Sequence, residues 1–359
     1  MARFLIRRIL VAIPVLLGIV VLTFVLARVI PGDPCKAELG ERANKATCDA
    51  FAHREGLDRP IPVQLGKYIV KLAHGDLGTS VHERRPVTRL LVERLPVTVE
   101  LSMAALMLAI IVGIPLGVLA AYRHNTLIDA GAVVAANVGV SMPVFWLGLM
   151  LQYLFAVVLK NTAFALPPSG RLAPGVVATP FYQRWGWSKN GVLEFLSNFT
   201  VLNAVLLGSG HLLGDALRHL VLPAVALASI PVAIIARMTR SSLLDTLGLD
   251  YVRTARAKGL GEFVVVTKHA LRNSLIPTVT GLGQVIGIIL AGSFLIERVF
   301  NIDGMGYLGY TAILQRDYPV ALGILVISSL LMLVGNILSD ICVALVDPRV
   351  KFGSGEAGT

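Results

Sequence analysis

The sequence predicts an all-α, polytopic membrane protein with six transmembrane helices. Of its 359 residues, 55% are hydrophobic and only 15% are charged, and the mean hydropathy is +0.74. Soluble domains carry about 25% charged residues, so a soluble fold could not cover this much apolar surface. Disorder is excluded as well, because disordered chains combine low hydrophobicity with high charge. The spanning segments must be helical, since lipid leaves an open strand without hydrogen-bond partners.

Six apolar stretches are long enough to cross a bilayer, which takes about 20 helical residues. In chain order they are 9–30, 97–121, a stretch within 130–159, 220–236, 278–296 and 318–339, the last continuing to 346. The first is too long for the apolar part of a signal peptide, which has about 7–15 residues. The third exceeds what a bilayer requires, so we expect it to tilt or to begin outside the hydrocarbon. A weaker stretch, 192–207, contains Glu194, Asn198 and Asn203, which favours an interfacial or re-entrant helix over a seventh span.

The positions of Lys and Arg predict that both termini lie in the cytoplasm, as expected for a multi-pass protein of the plasma (inner) membrane. Three arginines precede the first span, and the loop 237–277 between the fourth and fifth spans holds seven basic residues. The opposite loop, 298–317, holds only Arg298 and Arg316. The net charge of +10 therefore reflects membrane topology. It does not indicate nucleic acid, which requires basic residues gathered on one face.

These spans divide the chain into four regions. Residues 1–30 form an N-terminal cytoplasmic tip and the first span, and 31–96 form an external region. Residues 97–346 form the core transmembrane domain, with an external insertion at 160–215 and the cytoplasmic loop 237–277, and 347–359 form a cytoplasmic tail. Cys35 and Cys48 share the external region, where an oxidising environment permits a disulfide, and two unpaired thiols are the alternative.

Motifs for catalysis are absent from the sequence. No G-x-x-x-x-G-K-S/T motif occurs, so we do not expect the chain to hydrolyse ATP, and no metal-binding motif occurs either. Gly304-Met-Gly306-Tyr-Leu-Gly309 matches a dinucleotide-binding spacing, but it follows a membrane span where that motif needs a strand. Ionisable residues within the spans are few and near the ends, namely Glu100, His219 and Asp340. This disfavours a proton-driven secondary transporter, and the lack of a filter pattern disfavours a channel.

Small residues and prolines within the spans predict tight packing. Gly113 and Gly117, and likewise Gly283 and Gly287, lie four residues apart on one helix face, which permits close helix contact. Four prolines interrupt the helical hydrogen bonds and predict kinks: Pro115, Pro143, Pro223 and Pro231.

The cytoplasmic loop contains a predicted short helix at 250–259. Asp250 suits an N-cap or a first-turn position, Ala255 and Ala257 favour helix, and Gly259 is a natural terminator. Taken alone, this helix is equally consistent with an amphipathic segment on anionic lipid and with a docking helix for a partner protein.

The same segment carries a family resemblance. Asp250-Tyr-Val-Arg-Thr-Ala-Arg-Ala-Lys-Gly-Leu260, followed by Lys268-His-Ala-Leu-Arg-Asn-Ser-Leu-Ile-Pro277, resembles the coupling-loop signature of ABC importer permeases, most closely the dipeptide/oligopeptide/nickel group. Arg253 stands where the general family has Glu, so a salt bridge of that Glu does not carry over. Ser141-Met-Pro-Val-Phe-Trp-Leu-Gly148 and Arg316-Asp-Tyr-Pro319 resemble further motifs of the group. Pro31-Gly-Asp-Pro34, Gly75-Asp-Leu-Gly78 and Asp347-Pro-Arg349 resemble the B-type member of its permease pair.

The resemblance implies a type I ABC importer permease fold and a pore-forming subunit that imports dipeptides or oligopeptides, with nickel or another small solute as the alternative. It implies three kinds of partner besides the lipid bilayer: a homologous second permease, two ATPase domains and an external solute-binding protein. ATP and magnesium would belong to the ATPases, with no cofactor or metal in this chain. The residues implied in ATPase coupling are Asp250, Tyr251, Arg253, Thr254, Ala255, Arg256, Lys258 and Gly259. The substrate-binding residues stay unassigned.

Overall fold

The computed structural model describes residues 2–29, 44–56 and 58–346, and within these ranges the secondary structure is helical, without a β-strand. The all-α prediction is therefore confirmed. In chain order the helices are α1 (Ala2–Val29), α2 (Lys45–Glu55), α3 (Ile61–Ala73), α4 (Val87–Tyr122), α5 (Leu127–Ser141), α6 (Val144–Gln152), α7 (Phe181–Arg184), α8 (Gly191–Ser197), α9 (Thr200–Leu206), α10 (Gly210–Leu247), α11 (Asp250–Ala257), α12 (Glu262–Val264), α13 (Leu271–Val299), α14 (Met305–Leu314) and α15 (Tyr318–Val346). Two π-helical turns, Tyr153–Val158 and Val265–Ala270, extend α6 and precede α13.

Four continuous helical segments in the described part of the chain are long and apolar enough to cross a membrane: Val87–Tyr122, Gly210–Leu247, Glu262–Val299 and Tyr318–Cys342. They contain the second, fourth, fifth and sixth predicted spans. α1 covers the first predicted span, and its described apolar stretch is Ile13–Leu22. The helices run well beyond the apolar stretches, because a helix continues into water on polar residues that hydropathy does not count. The crossing of all six stays a prediction.

The third predicted span is broken in two. α5 and the helix formed by α6 with its π-helical turn meet at 100°, so this stretch is not one tilted helix. The other expectation, that its first turns lie outside the hydrocarbon, stays a prediction. The break falls at Met142, which has an extended backbone (φ −84°, ψ 128°) immediately before Pro143. Proline excludes its predecessor from the helical region and lacks the N–H that would continue the helix. The other three predicted kink sites, Pro115, Pro223 and Pro231, lie inside helices that continue past them, and their kinks stay a prediction.

Helix α10 lies at the centre of the core and packs most extensively against α4 and α13. The two glycines predicted to pack on α4 lie at this contact. A Cβ atom on Gly117 would lie 2.5 Å from the carbonyl oxygen of Ala236, and one on Gly113 would lie 2.9 Å from Ile235 Cγ2. Only a residue without a side chain permits so close an approach of two helices.

The other glycine pair faces α15. A Cβ atom on Gly283 would lie 2.8 Å from Asn336 Oδ1, and one on Gly287 would lie 3.2 Å from Met332 Cε. The Ser339 hydroxyl accepts a hydrogen bond from the backbone N–H of Gly283 at 3.1 Å and donates one to the carbonyl of Val279 at 3.1 Å. Here the small residue admits a polar contact between two apolar helices.

The stretch 192–207 forms no span. It contains most of α8 and all of α9, helices of seven residues each, or about 10 Å, which is far shorter than a bilayer. Glu100 of α4 accepts hydrogen bonds from the backbone N–H groups of Thr200 (3.1 Å) and Val201 (2.7 Å) and from Arg171 (3.1 Å). The insertion at 160–215 is therefore attached to the end of a spanning helix by a carboxylate that caps α9.

Several sequence expectations lie outside the described residues. They are the pairing of Cys35 with Cys48, the motif at 31–34 and the tail 347–359 with its motif at 347–349. Cys35 is therefore not described, and the choice between a disulfide with Cys48 and two unpaired thiols stays as the sequence left it.

Candidate functional site

The short helix predicted in the cytoplasmic loop is present as α11, which immediately follows α10. Asp250 occupies its first turn, where a negative charge is favourable, and the N-cap is Leu249. The helix ends at Lys258, and Gly259 adopts the left-handed backbone conformation (φ +75°) that glycine takes without a Cβ clash. The predicted boundaries of this helix therefore agree with the structure to within two residues.

One face of α11 rests on its own chain. Val252 is fully buried and Ala255 is buried, three residues further along the same face. They pack in a cluster with the C-terminal ends of α4 and α10 and with the π-helical turn before α13: Ala121, Leu243, Val265, Val266 and Ala270. Ala255, one of the implied coupling residues, thus lies on the face of α11 that packs against its own chain, and it is turned away from any partner.

Tyr251 fixes the same helix to the start of α13. Its hydroxyl accepts a hydrogen bond from Asn273 Nδ2 at 2.9 Å and donates to the backbone carbonyl of His269 at 3.4 Å. Arg256 forms a bidentate pair with Glu262 of α12 at 2.6 and 3.0 Å. Helix α11 is therefore held along its length to the segment that leads into the fifth span.

The opposite face of α11 is exposed and carries both signs of charge. Seven of the eight implied coupling residues are exposed, all but Ala255. Arg253 lies 3.5 Å from Asp250, and Arg256 is paired with Glu262, so two of the three cations have a carboxylate beside them. An anionic lipid surface would attract such a face weakly. Exposed apolar side chains lie beside this face, among them Phe263 at 77% exposure, so the surface offers apolar as well as charged contacts.

Helix α11 and the segments it packs on, the C-terminal ends of α4 and α10 and the π-helical turn before α13, are called the platform below. A charged cluster that the sequence did not predict stabilises this platform. Asp129, in the first turn of α5, accepts two hydrogen bonds from Arg240 of α10, at 2.6 and 2.8 Å, and contacts His124 at 3.2 Å. The pair joins residues 111 positions apart in the chain. It ties the turn between α4 and α5 to the helix that leads into α11, and no local pattern in the sequence announces it.

Comparisons with known proteins identify the family. Residues 113–352 match the family described as the binding-protein-dependent transport system inner membrane component, and residues 1–102 match the N-terminal part described for the same transport systems. A dipeptide transport system permease protein DppB from Alkalihalophilus pseudofirmus is 40% identical over 98% of this chain and 100% of its own length. DppB of Escherichia coli K12 is 40% identical over 98% and 99%, and the oligopeptide transport system permease protein AppB of Bacillus subtilis is 38% identical over 98% and 100%.

A solved structure supports the fold. A chain of the inward-facing MetNI methionine ABC transporter matches with a TM-score of 0.50 and 18% identity, over 72% of this chain and 96% of that one. This likeness shows that the chain has the fold of an ABC importer permease. On the sequence matches, which cover nearly the whole chain, the protein belongs to the family of inner membrane components of binding-protein-dependent transport systems.

Proposed function

We propose that this chain is the pore-forming subunit of an ATP-driven importer of dipeptides or oligopeptides. Its family supplies the transport role, and relatives that match over nearly their whole length are named as dipeptide and oligopeptide permeases. These relatives favour peptide over nickel as the substrate. The observation that carries the proposal is the packing of helix α11. Its buried face, with Val252 and Ala255, packs on three helical segments, while its charged face is open to a partner.

Energy reaches the transport path from separate subunits in this proposal, because the sequence has no P-loop of its own. The exposed face of α11 would dock in a groove of one of two ATPase domains, which hold the ATP and magnesium. Closure of the ATPases would push on α11. Because Val252 and Tyr251 fix α11 to the ends of α4, α10 and α13, the push would move these helices together.

The remaining partners follow from the same role. A homologous second permease would complete the pore, and an external solute-binding protein would deliver the peptide into the cavity between the two permeases. Both termini and the platform would lie in the cytoplasm, and the insertion 160–215 would lie outside. The basic residues of the loop 237–277 support this orientation.

Reconstitution tests the proposal. The chain is assembled in vesicles with its partner permease, ATPases and binding protein, and uptake of a labelled dipeptide and of nickel ions is measured with and without ATP. We expect ATP-dependent dipeptide uptake and an ATPase rate that rises with the loaded binding protein. Uptake driven by a proton gradient without ATP would refute the proposal, and uptake of nickel alone would refute the peptide assignment.

A further inference from the structure

A fully buried carboxylate lies at the external end of α13. Glu297 Oε1 accepts a hydrogen bond from the Thr98 hydroxyl of α4 at 2.7 Å. Its Oε2 accepts from the backbone N–H groups of Gly306 and Tyr307 at 2.7 and 3.1 Å. The Thr98 hydroxyl in turn accepts from the N–H of Met305 at 2.8 Å. One carboxylate and one hydroxyl thus satisfy the first three N–H groups of α14 and join it to two spanning helices.

The glycine spacing at 304–309 has its explanation here. A Cβ atom on Gly304 would lie 2.5 Å from Glu297 Oε2, and one on Gly306 would overlap the Cα atom of Phe294. On Gly309 it would lie 2.8 Å from the Phe294 ring. The three glycines line the face of α14 that packs on α13. The spacing that matches a dinucleotide-binding motif therefore serves to bring a helix against a buried carboxylate.

The far end of α14 is held by a second carboxylate. Asp317 is buried and lies three residues beyond the end of α14, and it accepts hydrogen bonds from Ser80 Oγ at 2.5 Å and from the N–H of His82 at 3.2 Å. Between these two anchors the outer face of α14 is open, with Ile313 70% and Leu314 66% exposed. Helix α14 is thus fixed at both of its ends, on the external side of the bundle.

Helix α13 connects α14 to the platform around α11. Its 29 residues extend about 43 Å, from the π-helical turn that packs against Val252 of α11 to Glu297. A displacement of the platform would therefore reach the external side through one continuous helix. At the first turn of α14, the Glu297–Thr98 pair adds to the glycine packing a polar contact that joins α14 to both α13 and α4.

We propose that Glu297 is a positioning residue for transport. It locks α14 to α4 and α13 so that movement driven at α11 also moves the external mouth. The inference rests on the proposed function of the chain as an importer subunit. Without the carboxylate, two buried N–H groups lose their acceptor, and the first turn of α14 can open independently of α13. ATP would then be hydrolysed with little peptide moved.

The test compares four variants in the assembled complex, by peptide taken up per ATP hydrolysed. Glu297→Ala and Thr98→Val should lower this ratio on the order of tenfold, as expected when a buried group loses its hydrogen bond, with basal ATPase activity unchanged. Glu297→Gln should stay near wild type, because its amide oxygen can accept from both N–H groups while its NH₂ donates to Thr98. Glu194→Ala, which removes an external carboxylate paired with Lys189, is the matched control and should change nothing.

The outcomes separate the two proposals. A wild-type complex without peptide-stimulated ATPase activity refutes the proposed function. A normal ratio in Glu297→Ala and Thr98→Val overturns the role of Glu297, and so does lower thermal stability accompanied by a normal ratio. Hydrogen exchange on the full chain in lipid tests the contact without transport. The amides of Gly306 and Tyr307 should exchange at least tenfold faster in Glu297→Ala, and unchanged exchange overturns the inference.

Discussion

Helix packing at Gly117 provides a graded test of the fold. A Cβ atom there would lie 2.5 Å from the Ala236 carbonyl oxygen and 2.8 Å from Thr239 Cβ, and both neighbours belong to the backbone or the rigid stem of α10. Overpacking of this kind costs about 1–3 kcal/mol. Alanine in place of a helical glycine returns roughly 0.5–1 kcal/mol. We therefore expect Gly117→Ala to lower the free energy of unfolding, by at most about 2.5 kcal/mol.

Alanine substitutions at two other glycines serve as references for the loss of stability in Gly117→Ala. Gly131 lies in α5, and a Cβ atom there would have nothing within 4 Å, so Gly131→Ala should be neutral or stabilising. At Gly287 the neighbour at 3.2 Å is the flexible end of Met332, so Gly287→Ala should cost less than Gly117→Ala. The free energies come from unfolding of the purified chain by SDS in detergent micelles, followed by tryptophan fluorescence. Equal stability of Gly117→Ala and Gly131→Ala would refute the close contact of α4 with α10.

Three further changes test the anchors. Glu100→Ala removes the acceptor for α9, so limited proteolysis should cut the insertion 160–215 faster than in wild type; unchanged cleavage would contradict the anchoring. Gly259→Val forces a branched side chain into the left-handed conformation at a cost of roughly 1–2 kcal/mol. Uptake of peptide should fall while membrane insertion persists. Normal uptake would argue against a fixed position of α11. Exchanging Asp129 and Arg240 should restore uptake lost in Asp129→Arg alone, and a failure of this rescue, with both proteins expressed, would show that their pairing is not what matters.

The features that the sequence predicted are local. Apolar length marks the spanning helices, and Gly259 marks the end of α11, because each depends on the residues of one segment. The predicted fourth span, 220–236, is much shorter than α10, since hydropathy stops where charged residues begin and helix formation does not. The break at Pro143 was indicated by its residue type, but its 100° angle depends on the packing of the two halves.

The contacts that hold the ends of the molecule are distant in sequence. Thr98 and Glu297 are 199 residues apart, and nothing in the apolar stretch around Glu297 shows that Thr98 will reach it. A carboxylate at the edge of an apolar run is typical of a helix leaving the membrane. Only the three-dimensional packing turns Glu297 inward and gives it three donors.

Three carboxylates in the described part of the chain have their charge satisfied in the same way. Glu100, Glu297 and Asp317 each accept hydrogen bonds from three donors, and each caps a different helix, α9, α14 and α15 respectively. A proton carrier needs a carboxylate that changes partners during transport, in contact with water or with another titratable group. These three are instead engaged with backbone amides, hydroxyls and one arginine, which are groups that do not exchange protons in the physiological range. These three carboxylates therefore fix helix ends, which fits the proposal that the energy for transport enters at α11.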